Sequence, residues 1–496
     1  MKNGNNAEYL KKNKLRIMFL ILLGLYSAFI FGILYKNYDL SLITMFIIFL
    51  LSVGYSLMQI KKRILLFIMD FSIFLFLLDR PIINLLYGSD WIYFSKTTIV
   101  FTLLSLLISI SLFNLGFIAE ERYNMFSNAY RKLKNKRNKN FEFKWSININ
   151  FMKKIALFLF LISFCCTMVM EIDKLLFMQG KDYAQVYSLY KNEFPIVIRV
   201  MSTILPYFLC FFLACNPNKK STYIVLIVYI VSGLPGFIIG ARSALMIKVM
   251  FSFLYFMIRE NNDNIEVWIN KFEKIILIVM VPVSIIGLGA FSYIRDGSNS
   301  NSDNRNILVD FFYLQGTSFD TLCEAFEFKD ELKTKDVTSY TFGNIIDYVQ
   351  HSTMSQILFN AEPLPSGNNI TMATKSNSLA HHLSYVVLGD TYLMGHGRGS
   401  SYIAEVYLDF GFFGIAIYNF ILGIFLSIVI KIMKTKSLIG KVIILIILTD
   451  MFMIPRDAAI SFIDFLLTGQ FWIAVCMMYS TYFILKKFNE RMIKHE

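Results

Sequence analysis

Residues 403–430 read IAEVYLDFGFFGIAIYNFILGIFLSIVI, with two carboxylates, Glu405 and Asp409, near the start and no basic residue before Lys431. At 1.5 Å of rise per residue such a run is long enough to cross the roughly 30 Å hydrocarbon core of a bilayer as one helix. Working outward, about twelve runs of this kind are found: 15–35, 40–60, 64–79, 96–118, 153–170, 195–215, 221–239, 243–258, 275–294, 403–430, 442–455 and 458–485. The third, eighth and eleventh are short and need interfacial flanks or protein contacts to span. The first follows Lys11, Lys12, Lys14 and Arg16. It is too long for a signal-peptide core and lacks a small-residue cleavage site, so it is expected to be a retained span.

Composition agrees. The chain has 496 residues, 56% of them hydrophobic and only 17% charged, against about a quarter charged in soluble domains. The expected class is all-α: a polytopic membrane protein. The formal charge of +13 does not call for nucleic acid, because the basic residues lie mostly in short loops on one side, as the positive-inside rule expects. Cys165, Cys166, Cys210, Cys215 and Cys476 lie in apolar runs, and Cys323 stands apart in a polar stretch. They read as small buried hydrophobes. No metal-ligand spacing is present, so no metal and no cofactor is expected.

The charges set a topology. Lys61, Lys62 and Arg63 separate spans two and three; Arg131, Lys132, Lys134, Lys136, Arg137 and Lys139 separate four and five. Lys219 and Lys220 follow span six, Lys271 and Lys274 precede nine, Lys431 to Lys441 lie between ten and eleven, and Lys486 and Lys487 end twelve. Every second loop is basic and shares a side with the N-terminus, which places both termini in the cytoplasm. The chain then divides into a membrane domain at 1–294 with the basic loop 119–154, a large extracytoplasmic loop at 295–402, and a second membrane domain at 403–496. The large loop opens on a Ser/Asn/Asp linker, Gly297 to Asn306. It continues with Leu308, Phe311, Phe312, Phe319, Leu322 and Phe326 at helical spacing, and contains a turn-rich stretch, Glu362 to Asn369. A smaller outer loop, 171–194, carries an amphipathic pattern of Leu175, Leu176, Tyr183, Val186, Tyr187 and Tyr190 and is expected to lie on the membrane surface.

Four arginines fall at the outer ends of spans: Arg199, Arg242 in Gly240-Ala241-Arg242-Ser243, Arg398 in His396-Gly397-Arg398-Gly399-Ser400-Ser401, and Arg456. Arginine on this face runs against the positive-inside bias, and a guanidinium matches phosphate oxygens as a two-pronged fork. The plainer account is snorkelling, or pairing with Asp450, Asp457 or Asp464. Four together point instead to a pyrophosphate clamp, with Ser243, Ser400 and Ser401 beside the arginines. Arg242 and Arg398 stand out because their glycines let backbone approach a ligand.

A second constellation is His381, His382, His396, Glu405 and Asp409. Histidine suits general-base work near neutral pH, and a carboxylate can do so in a tuned site. Solvated loop histidines are the alternative, and the favoured one for His351. Glu405 and Asp409 are one turn apart on span ten, although Asp409 could equally partner an arginine. Asp70, midway along span three, reads as a buried hydrogen-bonded carboxylate rather than a proton-coupling site. There is no Walker A lysine motif and no Gly-x-Ser-x-Gly elbow. Nor is there a cytoplasmic domain for a nucleotide sugar.

The stretch Gly397 to Gly411, GRGSSYIAEVYLDFG, followed by Gly414, resembles the Wzy-type O-antigen and capsular polysaccharide polymerases. The turn Gly240 to Ser243 is similar to that family's short arginine-bearing element, and the layout agrees along the whole chain. The resemblance implies a metal-independent glycosyltransferase of the bacterial plasma membrane. It would move a growing glycan from undecaprenyl pyrophosphate onto an incoming lipid-linked oligosaccharide repeat unit at the outer face. The implied partners are that lipid-linked oligosaccharide, the bilayer, a flippase and a chain-length regulator, with no nucleic acid. A flippase would line a path across the membrane with polar residues, whereas here they gather at one face. A ligase acting on the same carrier has nearly the same physical needs.

Overall fold

The computed structural model describes residues 17, 20–134, 148–178, 190, 192–262, 267–271, 273, 306–435 and 437–493; at 124–134, 242, 262, 307, 353–354, 489 and 491–493 it describes backbone alone. Every element among these residues is a helix. Helices on the basic side start where a short polar side chain accepts an otherwise unpaired backbone N–H: Asn148 from Phe151, Asn218 from Ser221 and Ser437 from Gly440, at 3.1–3.2 Å.

Among the described residues six helices are long and apolar enough to cross a membrane: Tyr38–Leu57, Lys96–Tyr123, Ile149–Phe177, Lys219–Ile239, Tyr402–Ile432 and Leu438–Arg456. Two bent pairs, Ile196–Thr203 with Leu205–Ala214 and Ser461–Leu467 with Gly469–Phe488, raise the number to eight. The count of twelve read from the sequence is not reached by these criteria. Of the other four runs, one is the short apolar helix Leu20–Leu34. Run 64–79 lies in a rod that carries Arg63, Asp70, Asp79 and Arg80, and 243–258 lies in Arg242–Asn262, which carries Lys248 and Arg259. Run 275–294 falls outside the described residues, as does 297–305 of the expected linker.

The centre of the bundle is the crossing of Lys96–Lys134 with Tyr402–Ile432. A Cβ on Gly116 would lie 2.1 Å from the Phe420 carbonyl oxygen, and one on Gly423 would lie 2.1 Å from that of Phe113. Glycine is what lets these backbones touch, the small-residue device of membrane helices. A polar rung crosses the same contact: Tyr402 Oη donates to Asn419 Oδ1 at 2.8 Å, and Asn419 Nδ2 donates to Ser109 Oγ at 3.2 Å. Tyr402–Ile432 is not one straight helix. It breaks at Gly411, whose φ of 64° and ψ of −161° are open essentially to glycine alone. The break leaves a short stub, 402–410, ahead of the membrane-crossing portion.

The rod that begins at Ile60 runs through Ile73, widens into a π turn at Phe74–Leu78 and resumes as Asp79–Leu86. Asp70 is buried on it and accepts from Ser52 Oγ at 2.8 Å, as expected of a hydrogen-bonded carboxylate. The helix ends that carry the basic loops meet: Lys61 with Glu260 at 3.1 Å, Arg63 with Glu121 at 3.1 Å, Lys219 with Glu273 at 2.5 Å, and Lys431 with Glu120. The opposite end receives 306–400, which folds as a chain of short helices from Ile307–Gln315 to Asp390–Leu393. The apolar residues expected at helical spacing hold it there. Phe311, Phe319 and Leu322 are buried, and Phe326 stacks on Phe101 with ring centres 3.9 Å apart. Of the amphipathic pattern at 171–194, Leu175 and Leu176 extend Ile149–Phe177, and Tyr190 returns to Asp173 at 2.8 Å; 179–189 lie outside the described residues.

Candidate active site

Arg398 stands in the turn that leads into the stub. Its N–H donates to Ser384 Oγ at 2.9 Å and its carbonyl accepts from Thr321 Oγ1 at 3.1 Å, so two separate helices fix its backbone. Gly399 beside it has a φ of 80°, a left-handed conformation that suits glycine. The guanidinium reaches Glu324, Nη2 to Oε1 3.2 Å, with 40% of the side chain exposed.

Glu324 belongs to Thr317–Glu327, and Asp320 sits one turn earlier on the same helix. Asp320 is the hub of a second cluster: Arg80 from Asp79–Leu86 pairs with it, and Tyr93 Oη donates to it. The Arg80 guanidinium lies 4.6 Å from the Tyr313 ring centre, within cation–π range. This packing is tight because Gly316 abuts the rod. A Cβ there would stand 2.1 Å from Asp79 Oδ1 and 2.6 Å from Arg80 Cβ. Burial raises the Asp320 carboxyl against the pull of Arg80, and pushes Glu324 up to about 7 against the pull of Arg398.

Ser400 Oγ donates to Glu405 Oε1 at 2.6 Å, and Ala459 N donates to Glu405 Oε2 at 2.7 Å. Glu405 is buried and thereby pins the Arg398 turn to the turn after Arg456. Ser401 is buried as well. Asp409, at the far end of the stub, accepts from Ser339 Oγ (2.6 Å), Tyr340 N (3.1 Å) and Thr341 N (2.7 Å). The two carboxylates share the stub, as their spacing implied, and both bind protein. Arg456 ends the 3-10 turn Met451–Arg456, its guanidinium 5.8 Å from the Phe76 ring centre on the π turn.

The histidines are arranged by tyrosines. Tyr340 Oη donates to the Leu332 carbonyl at 3.2 Å, so it accepts from His382 Nδ1 at 3.1 Å. That assigns the His382 proton to Nδ1 and leaves Nε2 a bare acceptor, which has no partner among the described residues. Burial, reinforced by Lys335 and His381, lowers His382 to about 4. His381 lies 2.7 Å from Tyr392 Oη and is also lowered by burial. His396 is exposed, two residues before Arg398. His351 is held by the Glu362 carbonyl at 2.7 Å.

The structure thus joins Arg398, Ser400, Glu405 and the 456–459 turn. Arg199 and the Gly240 turn sit on other elements. Arg199 is exposed on Ile196–Thr203, which packs on Ile149–Phe177. Gly240, with a φ of 109°, ends Leu234–Ile239, and Arg242 opens the next helix with Ser243 exposed behind it. The side chain of Arg242 lies outside the described residues. Among the described residues no three His, Cys, Asp or Glu side chains gather as a metal ion would require.

A family model, O-antigen polysaccharide polymerase Wzy, matches residues 16–488. The chain belongs to that family. No curated protein and no solved structure matches it. A Wzy chain is a multi-pass membrane protein of polysaccharide biosynthesis that polymerises lipid-linked O-antigen repeat units, a glycosyltransferase-like activity.

Three charged residues of this candidate site escape a reading of the sequence: Arg80, Asp320 and Glu324. Arg80 sits where run 64–79 ends and looks like an ordinary boundary arginine. Asp320 and Glu324 carried a signal, since their four-residue spacing puts both on one helix face. Between them stand Leu322 and Cys323, both buried, and this apolar setting masked the pair.

Proposed function

We propose that this Wzy chain transfers a growing glycan from undecaprenyl pyrophosphate onto the non-reducing sugar of the next lipid-linked repeat unit, at the outer face of a bacterial plasma membrane. In this reading both termini are cytoplasmic, and twelve spans within 1–294 and 403–496 carry the extracytoplasmic segment 295–402. The observation that carries the proposal is Arg398. It is fixed through its backbone on both sides, flanked by glycines, and half open to the outside of the fold.

The chemistry asks for such a residue. The sugar–phosphate bond breaks as the acceptor hydroxyl attacks, and the lipid diphosphate departs as a multiply charged anion. Positive donors already aimed at it lower the barrier; removing one costs about 2.7–4 kcal/mol, or about 10²–10³ in rate. Arg398 and Arg456 serve this purpose, their turns locked together through Glu405, and Arg199, Arg242 and Ser243 provide further cationic and hydroxyl contacts for the lipid-linked substrates. Guanidinium charge takes the place of a metal. The acceptor proton passes to a histidine, with His396 best supported by its exposure beside Arg398. His381, His382, Ser400, Ser401, Glu405 and Asp409 hold the walls of the site. A flippase and a chain-length regulator work beside it.

The test is reconstitution of the purified protein with lipid-linked repeat units. Wild-type protein is expected to build a ladder of long glycans, unaffected by EDTA, and Arg398→Ala to give single units while still inserting. A normal ladder from Arg398→Ala would refute the clamp, and loss of the wild-type ladder in EDTA would refute metal independence. Units that cross the bilayer without joining would mean a flippase. Transfer only to a different acceptor would mean a ligase.

A further inference from the structure

Arg398 spends one guanidinium nitrogen on Glu324, at 3.2 Å, and the two side chains differ sharply in exposure: 40% for the arginine, 8% for the carboxylate. The carboxylate therefore lies beneath and the open edge of the guanidinium fork lies above. Glu324 Oε2 is buried, with no hydrogen-bond partner among the described residues. The charged groups acting on Glu324 are Arg398 from the turn, Arg80 from Asp79–Leu86 and Asp320 from its own helix. Arg80 is already committed to Asp320, with Tyr93 and Tyr313 around that pair.

We infer that Glu324 is a positioning residue that aims Arg398 and, by gaining or losing a proton, sets how strongly that arginine holds a diphosphate. The inference rests on the reading of Arg398 as a diphosphate ligand. Its physics is local. An ionised Glu324 cancels the charge of Arg398 and repels an approaching diphosphate, whereas a neutral Glu324 leaves Arg398 its full charge at the same aim. Burial places Glu324 at about 7, so both forms occur near neutrality. Binding a diphosphate favours the neutral form and takes up a proton. Affinity therefore falls as pH rises through that value, by at most about tenfold per pH unit for a single proton. The substrate diphosphate is esterified at both ends and has no group that titrates there, so the slope reports the protein.

The experiment is steady-state kinetics on the full-length protein in proteoliposomes, with lipid-linked repeat units, between about pH 6 and 8. Wild-type KM is expected to rise several-fold across this range. In Glu324→Gln the amide oxygen still accepts from Arg398 but no charge remains, so KM should stay flat near the wild-type value at low pH. Glu324→Ala loses the aim, and kcat should fall at every pH. A Glu324→Gln protein that keeps the wild-type slope overturns the inference, as does a Glu324→Ala protein with wild-type kinetics. Should either variant fail to fold, titration calorimetry on the wild-type protein in buffers of differing ionisation enthalpy decides. A lipid-linked repeat unit should bind with proton uptake near pH 7, and uptake of none overturns the proposal. An Arg398→Ala protein that polymerises normally defeats the underlying reading of the clamp instead.

Discussion

At the scale of single residues, the site is defined by which side chains are engaged by protein and which remain open. Glu405 accepts from Ser400 Oγ and Ala459 N on its two oxygens, so Glu405→Ala leaves both donors without that acceptor in a buried place. A buried donor left unsatisfied costs about 1–3 kcal/mol. The expected result is a lower melting temperature in detergent micelles, and an unchanged one would show that Glu405 does not pin the two turns. His382 gives a pH prediction. Its folded-state value is lowered to about 4 by burial, against about 6.5 when unfolded. Between these values the unfolded chain binds more protons, so stability is fully present above about 6.5 and is lost as pH falls toward 4. His382→Phe should flatten that acid limb in thermal melts across the same range, and an unaltered limb would reject the assignment. The sequence exposed Glu405 because a carboxylate stands out in an apolar run, Arg398 because it runs against the positive-inside bias, and the histidines because the chain has only five. It did not expose their partners: Ser384 and Thr321 are ordinary loop residues until the fold sets them on either side of Arg398.

At the scale of helices, the close crossing of Lys96–Lys134 and Tyr402–Ile432 governs how the site sits on the bundle. Gly423→Ala would put a methyl 2.1 Å from the Phe113 carbonyl oxygen. The backbones must separate, and overpacking of this kind costs about 1–3 kcal/mol. The variant should melt lower and lose polymer, while Gly54→Ala, where nothing lies within 4 Å, should behave as wild type. Equal behaviour of the two would contradict the crossing. The helices themselves were legible as apolar runs. The break at Gly411 was not, because nothing in the sequence tells its left-handed backbone from the helical backbone of Gly414 and Gly423 in the same run, and 403–430 reads as one rod.

At the scale of the whole molecule, composition and loop charge were enough for an all-helical membrane bundle with its basic loops at one end. They give twelve apolar runs where six to eight helices among the described residues are long and apolar enough to span, because 64–79 and 243–258 look apolar in isolation. The helices they belong to carry Arg63, Asp79, Arg80 and Arg259 at their ends. The segment 306–400 read as a partly folded loop, since its helices are short and their burial depends on Phe101 and Phe74, far away in sequence. The proposed sidedness has a direct check. Lys375, whose side chain is 62% exposed, should react with a membrane-impermeant amine reagent on intact cells, and Lys61, 64% exposed, only after lysis. The reverse pattern would place the site in the cytoplasm and end the proposal.

Asp409 is held by the Ser339 hydroxyl and the backbone N–H groups of Tyr340 and Thr341. Swinging the outer segment away from the stub would strip a carboxylate of every one of these donors. The 339–341 turn is thus tied to the stub that also carries Glu405, so a substrate reaching the proposed site would meet this part of its wall already in place.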